Sequence, residues 1–363
     1  MGLSPKGHLV SAEPGSGLPL LNGPTEFGVT YPTPRQWTRK WSRTAEPGDT
    51  LFCVRGSTTG RMNVAQLQYA IGRGVAAIRG ATPADTRFIR YAIVNGLPNI
   101  LALTSGSVFP NISAGDLRNF QLPWPDEKER LAIAAILGAL DDKIESNRLL
   151  VQLIPQVIRA KVLAALAEHR DEVAVTALAG FVNGGAYTKG ATGTGRMVIR
   201  IADLNSGPGR STVYNDIDVP DDRTARPGDI LMSWSGSLDV YRWALEEAIV
   251  NQHIFKVLPT DYPAWLVFDR LEAVIHVFQL VARDKATTMG HIQRGHLETT
   301  RVEVPTTADI ARLDKALSPL WDRLLIVEQE TIKLARLRDT LLPELLSGRI
   351  GAPEVAEGVE AAA

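Results

Sequence analysis

The chain has 363 residues, of which 45% are apolar, and its formal net charge is −1. This length and composition predict two domains with sizeable cores plus connecting segments. The apolar runs are too short for a membrane span, no signal peptide opens the chain, and the single cysteine, Cys53, excludes an internal disulfide and a cysteine-rich zinc site. We therefore expect a cytoplasmic protein without a membrane partner or a metal site.

The charge is distributed unevenly along the chain. Residues 1–115 hold 11 Lys and Arg against 5 Asp and Glu, a local net charge of +6. Residues 176–295 hold 12 against 13, which leaves −1. A surface that faces phosphates needs concentrated positive charge. The distribution therefore favours nucleic-acid binding by the first globular part and weakens that case for the second.

The first candidate site is a basic and aromatic segment at residues 35–43. If the segment is extended, one strand face carries Arg35, Trp37, Arg39, Trp41 and Arg43. Alternating cations and flat rings suit a surface laid on phosphates and base edges, and Lys40 adds a further cation. The alternative is a solvated edge strand protected by its charges.

A glycine- and serine-containing loop follows the predicted strand at residues 51–54. Residues 56–61 combine two glycines, hydroxyl groups and an arginine, so the loop can approach a base edge or a phosphate closely. The alternative is an ordinary hairpin turn. The candidate DNA contacts are Arg55, Ser57, Thr58 and Arg61, followed downstream by Arg73 and Arg79.

A long amphipathic helix is predicted from Asp126 to about Ala167. Asp126 lies three residues before Glu129, the spacing of a helix N-cap close to a capping box. Apolar residues then alternate by four and three, the seam of a coiled coil, with Asn147 as a polar position that fixes register and Pro155 as a predicted kink. The seam consists of Ile133, Leu137, Leu140, Ile144, Asn147, Val151 and Ile154.

The same pattern recurs 180 residues later without a gap. The second seam consists of Leu313, Leu317, Leu320, Leu324, Val327 and Leu334. Outside the helices, Pro47-Gly48-Asp49 recurs as Pro227-Gly228-Asp229, and Pro125 as Pro305. The chain is therefore predicted to hold two copies of one unit, whose helices pair antiparallel. The opening strand of the second unit maps to positions at or before Met1, so in the first unit it is shortened or absent, or another segment fills its place.

The second copy supplies its own candidate contacts. Lys189 and Arg196 flank a glycine-rich loop whose spacing matches a nucleotide-binding loop, but Ala191-Thr192 stands where Lys-Ser/Thr is required, so we expect no nucleotide there. The second glycine–serine loop offers Trp234, Ser235 and Ser237. Asn251 and His253 add an amide and an imidazole of the kind that binds base edges.

These motifs together resemble one known family. The Pro-Gly-Asp strands with their glycine–serine loops, the run Leu140-Asp-Asp-Lys-Ile-Glu-Ser-Asn147 and the block from Leu341 to Ile350 are similar to the specificity (S) subunit of type I restriction–modification enzymes. The resemblance implies an α+β fold of two β-rich target-recognition domains in tandem, each followed by a long helix, with the helices paired as an antiparallel coiled coil. The implied boundaries are a first recognition domain at 1–122, spacer helices at 123–170 and 305–350, a second recognition domain at 171–304 and a disordered tail at 351–363.

The resemblance also implies a function in phage defence. The chain would be a non-catalytic subunit that reads a bipartite site in double-stranded DNA and docks two methyltransferase (M) subunits and, through them, restriction/translocase (R) subunits. S-adenosylmethionine, ATP and Mg would belong to those partners, with no cofactor on this chain. The sequence itself carries no methyltransferase, P-loop or nuclease motif. The alternative is a coiled-coil protein–protein scaffold that does not bind DNA.

Overall fold

The computed structural model of the chain describes residues 1–103, 110–284 and 290–352. It divides into two compact units, one formed by Met1–Glu145 with Lys333–Ala363 and the other by Ser146–Ile332. The division falls inside both long helices. Most of the predicted disordered tail, from residue 353 onward, lies outside the described residues.

Two small sheets form the β part of the first unit. Their strand orders are β1-β3-β2-β7-β4 and β6-β5-β8, in which the β2–β7 pair is parallel and the other pairs are antiparallel. The strands are β1 (Val10–Ser11), β2 (Leu18–Leu21), β3 (Gln36–Thr38), β4 (Thr44–Ala45), β5 (Thr50–Cys53), β6 (Met62–Val64), β7 (Tyr69–Ile71) and β8 (Val75–Ile78). The predicted strand after Pro47-Gly48-Asp49 is β5, and it is wholly buried.

Helices cover one face of these strands. Helix α1 (Pro83–Ala102) begins at a capping box of Thr82 and Asp85, and helix α2 (Ala114–Asn119) begins at another. The apolar face of α1 packs with Phe52 of β5 and with Ala76 of β8. The long helix α3 (Glu127–Glu168) follows.

The second unit repeats this arrangement with more strands. Two four-stranded sheets have the orders β10-β17-β14-β15 and β12-β11-β16-β13, and β9 pairs with β18. The elements are β9 (Asp171–Ala174), β10 (Ala179–Asn183), β11 (Arg196–Ile199), α4 (Ile201–Ser206), β12 (Val213–Asn215), β13 (Thr224–Ala225), β14 (Ile230–Ser233), β15 (Val240–Arg242), β16 (Ala248–Val250), β17 (Ile254–Pro259), α5 (Ala264–Asp284), α6 (Arg294–Thr299), β18 (Arg301–Val304) and the long helix α7 (Thr307–Leu346).

The long helices begin where the sequence predicts. The Asp126 carboxylate accepts from the backbone N–H of Glu129 at 2.9 Å, and the Thr306 hydroxyl accepts from that of Asp309 at 3.3 Å, so both predicted caps are confirmed. Helix α3 continues through Pro155. By length and composition alone it could also cross a membrane, although 28% of its most apolar window is buried in this structure.

Every predicted seam residue is buried or half-buried. In the first unit, Ile133 and Leu137 near the start of α3 share a core with Leu342 and Leu345 near the end of α7. In the second unit the opposite ends meet, since Ile154 at the far end of α3 shares a core with residues of the first half of α7. The α7 residues in that core are Leu313, Leu317 and Leu324.

Many elements recur at an offset of 180 residues. Strands β5 and β14, helices α2 and α6, and the first residues of α3 and α7 are related by this number. Individual hydrogen bonds recur as well, because Gly56 N–H donates to Pro110 O at 3.1 Å and Gly236 N–H donates to Gly290 O at 2.9 Å. Strand β10 has no counterpart among the described strands of the first unit.

Candidate nucleic-acid interface

The basic and aromatic segment at residues 35–43 is extended only over β3. The chain turns after Thr38, because that buried hydroxyl donates to the carbonyl of Leu9 at 2.8 Å and accepts from the backbone N–H of Lys40 at 3.2 Å. The interpretation of residues 35–43 as one continuous strand face is therefore wrong. The cations and rings of this segment do not alternate along a single surface.

The cations of this segment nevertheless remain exposed. Arg39 donates from Nε to the carbonyl of Ser16 at 3.1 Å. Arg35, Lys40 and Arg43 make no side-chain hydrogen bond or ion pair with any described residue. Three of the four predicted cations are therefore available to an anionic partner.

Backbone pairing brings three predicted arginines into one region of the first unit. The N–H of Ile71, two residues before Arg73, donates to the carbonyl of Arg43 at 3.1 Å. The N–H of Val54, next to Arg55, donates to the carbonyl of Gly74 at 3.0 Å. The three arginine side chains are exposed, and within the described part of the chain none has a partner. We call Arg43, Arg55 and Arg73 the arginine cluster.

The first glycine–serine loop is held in place by its own backbone. Gly56 and Gly60 adopt φ values of +88° and +93°, which other residues rarely reach. The Thr59 hydroxyl lies 2.8 Å from the carbonyl of Gly56 and 2.9 Å from that of Pro110. The predicted contacts Ser57 and Thr58 remain exposed at the tip, which leaves their side chains accessible.

Two other arginines of this region are already occupied. Arg61 donates from Nη2 to the carbonyl of Phe27 at 2.8 Å, so it supports the segment before β3 although it is exposed. Arg79 forms a two-pronged ion pair with the buried carboxylate of Asp49, at 2.6 and 2.7 Å. Any contact that these two arginines make with a ligand would have to compete with bonds inside the protein.

The second glycine–serine loop is more closed than the first. The Ser233 hydroxyl donates to the carbonyl of Ser237 at 2.6 Å and accepts from the N–H of Asp239 at 2.9 Å. Ser237 is exposed, but Ser235 is only 5% exposed. In this conformation Ser235 does not offer a surface to a nucleic acid.

An aromatic cluster lies beneath this second loop. The ring of Trp234 is 5.3 Å from that of His253 and 6.0 Å from that of Phe255. Trp234 Nε1, His253 Nδ1 and Asn251 Oδ1 are buried and have no hydrogen-bond partner among the described residues. Asn251 is 8% exposed, so its amide, like Ser235, does not reach the surface in this conformation.

The glycine-rich loop of the second unit carries less free charge than predicted. Lys189 is exposed and has no partner in the described ranges. Arg196 pairs with Glu247 at 2.9 Å and donates to the carbonyl of Ile217 at 3.1 Å. The structure therefore leaves one of the two predicted cations uncompensated.

One candidate residue was missed by sequence reasoning. Arg118 in α2 is exposed and has no partner among described residues. The pKa of the Met1 amino group is lowered, first by partial burial and then by the charges of Arg43 and Arg118. Both arginines therefore lie on the side of the unit where Met1 lies. The available signal was the repeat, which places Glu298 opposite Arg118.

Comparison with known proteins identifies the family. Residues 42–155, which include the arginine cluster, match the model of the type I restriction modification DNA specificity domain. The chain is a relative of type I restriction enzyme specificity subunits. A Methanocaldococcus jannaschii protein named as the MjaX specificity subunit is 38% identical over 149 residues, which are 41% of this chain and 35% of that protein. The resemblance inferred from the sequence motifs is confirmed.

Two further proteins extend this similarity. The type I restriction enzyme MjaIX specificity subunit of Methanocaldococcus jannaschii is 20% identical over 300 residues, which are 70% of this chain and 66% of that protein. The alignments with these two relatives thus cover less than two thirds of either one. The crystal structure of a type I restriction–modification S subunit from M. genitalium superposes with a TM-score of 0.64 at 17% identity, over 95% of this chain and 92% of that one. That similarity shows a shared fold.

Proposed function

We propose that this chain is the sequence-specific DNA-recognition subunit of a type I restriction–modification complex. The observation that carries the proposal is the arginine cluster, because three exposed and uncompensated arginines lie inside the segment that matches the DNA specificity domain. Free arginines at a glycine-containing loop are suited to phosphates and to the O6 and N7 atoms of guanine. The ligand we propose is double-stranded DNA.

The electrostatics of the first unit support this ligand. The arginine cluster and Arg118 carry four positive charges without carboxylate partners in the described part of the unit. Such a group would repel itself unless an anion lay nearby, and the lowered pKa of the Met1 amino group reflects that repulsion. A DNA backbone supplies closely spaced phosphates that neutralise several cations together.

The tandem organisation is part of the proposal. The first recognition domain would be 1–122 and the second 171–304, each joined to a spacer helix. Elements and hydrogen bonds that recur at 180 residues support the duplication. The seam contacts within each unit support antiparallel pairing of α3 and α7 as a coiled coil. A rod between two readers would fix their separation, and so the gap of a bipartite site.

An apolar stripe on α3 supports the docking of partner subunits. Leu149, Leu153, Val157 and Leu163 are between 43% and 53% exposed. At 100° per residue they share one side of the helix, roughly opposite the buried seam. A stripe of exposed leucines is suited to an apolar helix of another protein. We propose that methyltransferase subunits, two per chain, dock on the spacer and bring the restriction/translocase subunits.

We propose a non-catalytic role for the chain in the cytoplasm. Methylation and cleavage would be carried out by the partners, which would also bind S-adenosylmethionine, ATP and Mg. Within the described ranges, no group of three or more His, Cys, Asp or Glu is placed to hold a metal ion. The candidate recognition residues are arginines, hydroxyls, an amide and an imidazole, which suit binding.

The test is DNA binding by the chain assembled with its methyltransferase partner. Wild-type complex should bind duplex DNA with an affinity that falls steeply with salt, and cells carrying it should show one bipartite methylated motif. Replacing Arg55 by alanine should lower the magnitude of the salt slope by about one if a phosphate contact is lost. Arg312→Ala is the matched control, since it removes an arginine that already pairs with Asp309 at 2.7 Å.

The second candidate function is a protein–protein scaffold. It is favoured by the second unit, where Arg196 is paired and Ser235 and Asn251 are buried. Under that hypothesis the complex would show no salt-dependent affinity for duplex DNA, and Arg55→Ala would behave like the control.

A further inference from the structure

The last residue of β15, Arg242, is buried against α7. Its side chain is 3% exposed, and Nη1 donates to the backbone carbonyl of Trp321 at 2.7 Å. The guanidinium carbon lies 4.5 Å from the centre of the Trp321 ring, and Nη2 lies 2.7 Å from the Glu328 carboxylate. Trp321 and Glu328 are two helical turns apart. One strand end of the second recognition domain is therefore held along two turns of the spacer.

This arrangement is a poor source of stability. Burial lowers the pKa of Arg242 and raises the pKa of Glu328, so both charged forms are penalised. In the described structure Arg242 Nε and Nη2 and Glu328 Oε2 lack a well-formed hydrogen bond, although the charged groups touch. A buried ion pair with unsatisfied atoms adds little net stability, but it can select one arrangement among several.

The same strand carries the second glycine–serine loop at its other end. The loop enters β15 at Val240, two residues before Arg242. Along its whole length β15 pairs with β14, for example Leu231 with Tyr241. The loop, the strand and the buried guanidinium therefore move together. An anchor at Arg242 sets where the loop points relative to α7.

The first unit has no equivalent anchor. The β5–β6 pairing places Val64 where the second unit has Arg242. The 180-residue offset places Arg148 where the second unit has Glu328. The anchor is therefore a property of the second domain and is not required to build the repeated fold.

We propose that Arg242, held between Trp321 and Glu328, is a positioning residue that fixes the angle of the second recognition domain on the spacer helix. Through that angle it sets the distance and rotational phase at which the second half of a bipartite DNA site is read. This inference rests on the proposed function of the chain as a DNA-recognition subunit.

The decisive variant combines Arg242→Met with Glu328→Leu, which removes both charges and keeps apolar bulk. The control combines Arg196→Met with Glu247→Leu, a more exposed pair on the same domain. Each chain is expressed with its methyltransferase partner, the methylated motif is mapped across the genome, and thermal unfolding of the purified complex is measured.

The half-site sequences should be unchanged in the decisive variant. Its preference for the native gap over gaps one base pair longer or shorter should fall about tenfold, the size of effect expected when one coupled pair is removed. The thermal midpoint should stay the same or rise, because apolar replacement of a buried ion pair is often neutral or stabilising. The control should keep the native gap preference.

Other results would overturn the proposal. An unchanged gap preference in a folded double variant would reduce Arg242 to a packing residue. If the double variant does not fold, Arg242→Lys decides, since it keeps the charge but cannot stack or fork; an unbroadened gap in that variant also refutes positioning. Absence of any bipartite motif in the wild type would instead refute the proposed function.

Discussion

A seven-residue insertion in both long helices tests whether the helices set the gap between the half-sites. The insertions go between Glu145 and Ser146 and between Ile332 and Lys333, where one compact unit gives way to the other. Two contacts bracket these points: Asp141 with Arg338 at 2.8 Å in the first unit, and Asn147 with Glu330 at 2.9 Å in the second. Copies of residues 139–145 and 333–339 would add a complete heptad to each seam without removing any contact.

The expected change follows from helix geometry. Seven residues lengthen a helix by about 10.5 Å, which is about three base pairs at 3.4 Å per step. Three base pairs rotate the duplex by about 100°, whereas one heptad of a coiled coil with a pitch of about 150 Å turns by only about 25°. Twisting of the DNA must absorb the remainder. We therefore expect the same half-sites at a gap about three base pairs longer, with weaker methylation.

The assay is the methylated motif recovered from cells that carry the variant together with its methyltransferase partner. A matched control inserts the heptad into α3 alone, which leaves the two helices unequal and should abolish the motif. Methylation of the original motif at the original gap would refute the reasoning, because the helices would then not determine the spacing.

Three further predictions concern single side chains. Replacing the fully buried Asn147 by leucine should raise stability to urea by about 1 kcal/mol, because its unpaired amide oxygen is removed; a loss of stability would contradict this. Leu153→Glu should weaken methyltransferase binding in pull-down without lowering the thermal midpoint of the chain. The pKa of Asp314 is lowered by hydrogen bonds from Ser318 and Trp265, so its contribution to stability is present above the unfolded pKa of about 3.9 and is lost as the pH falls through the lower folded value. Asp314→Asn should therefore lower the thermal midpoint at pH 7, by an amount that shrinks toward pH 3.

Features fixed by local chemistry could be predicted from the sequence. The cap at Asp126 needs only a carboxylate and a backbone N–H three residues later, and a helical seam needs only a repeated spacing of apolar residues. The repeat added a second, independent copy of each pattern. The bounds of α3 and α7 and the burial of the seam follow from these signals.

The accessibility of the candidate contacts could not be predicted in the same way. Arg61 is occupied by the carbonyl of Phe27, 34 residues away in sequence, and no local pattern announces that bond. Ser235 and Asn251 have residue types that suit base contacts, but strand pairing buries them. The turn after Thr38 depends on the carbonyl of Leu9, 29 residues earlier. Tertiary hydrogen bonds, which a single sequence does not encode locally, decide each case.

Asp49 and Asp229 indicate how the duplication separates folding from recognition. Each carboxylate accepts from the backbone N–H three residues earlier, at 2.8 and 2.7 Å, and each pairs with a cation. That cation is Arg79 in the first unit and Lys256 in the second.

The structural role of this aspartate is thus kept although the partner differs. Arg55, by contrast, is replaced by buried Ser235 at the same offset, and Arg43 by Arg223, which donates to the Tyr187 hydroxyl at 3.3 Å. Positions whose contacts repeat hold the fold, and positions whose chemistry changes between copies are free to differ with the half-site. We infer that the arginine cluster can be altered with little effect on folding, and that half-site specificity resides there.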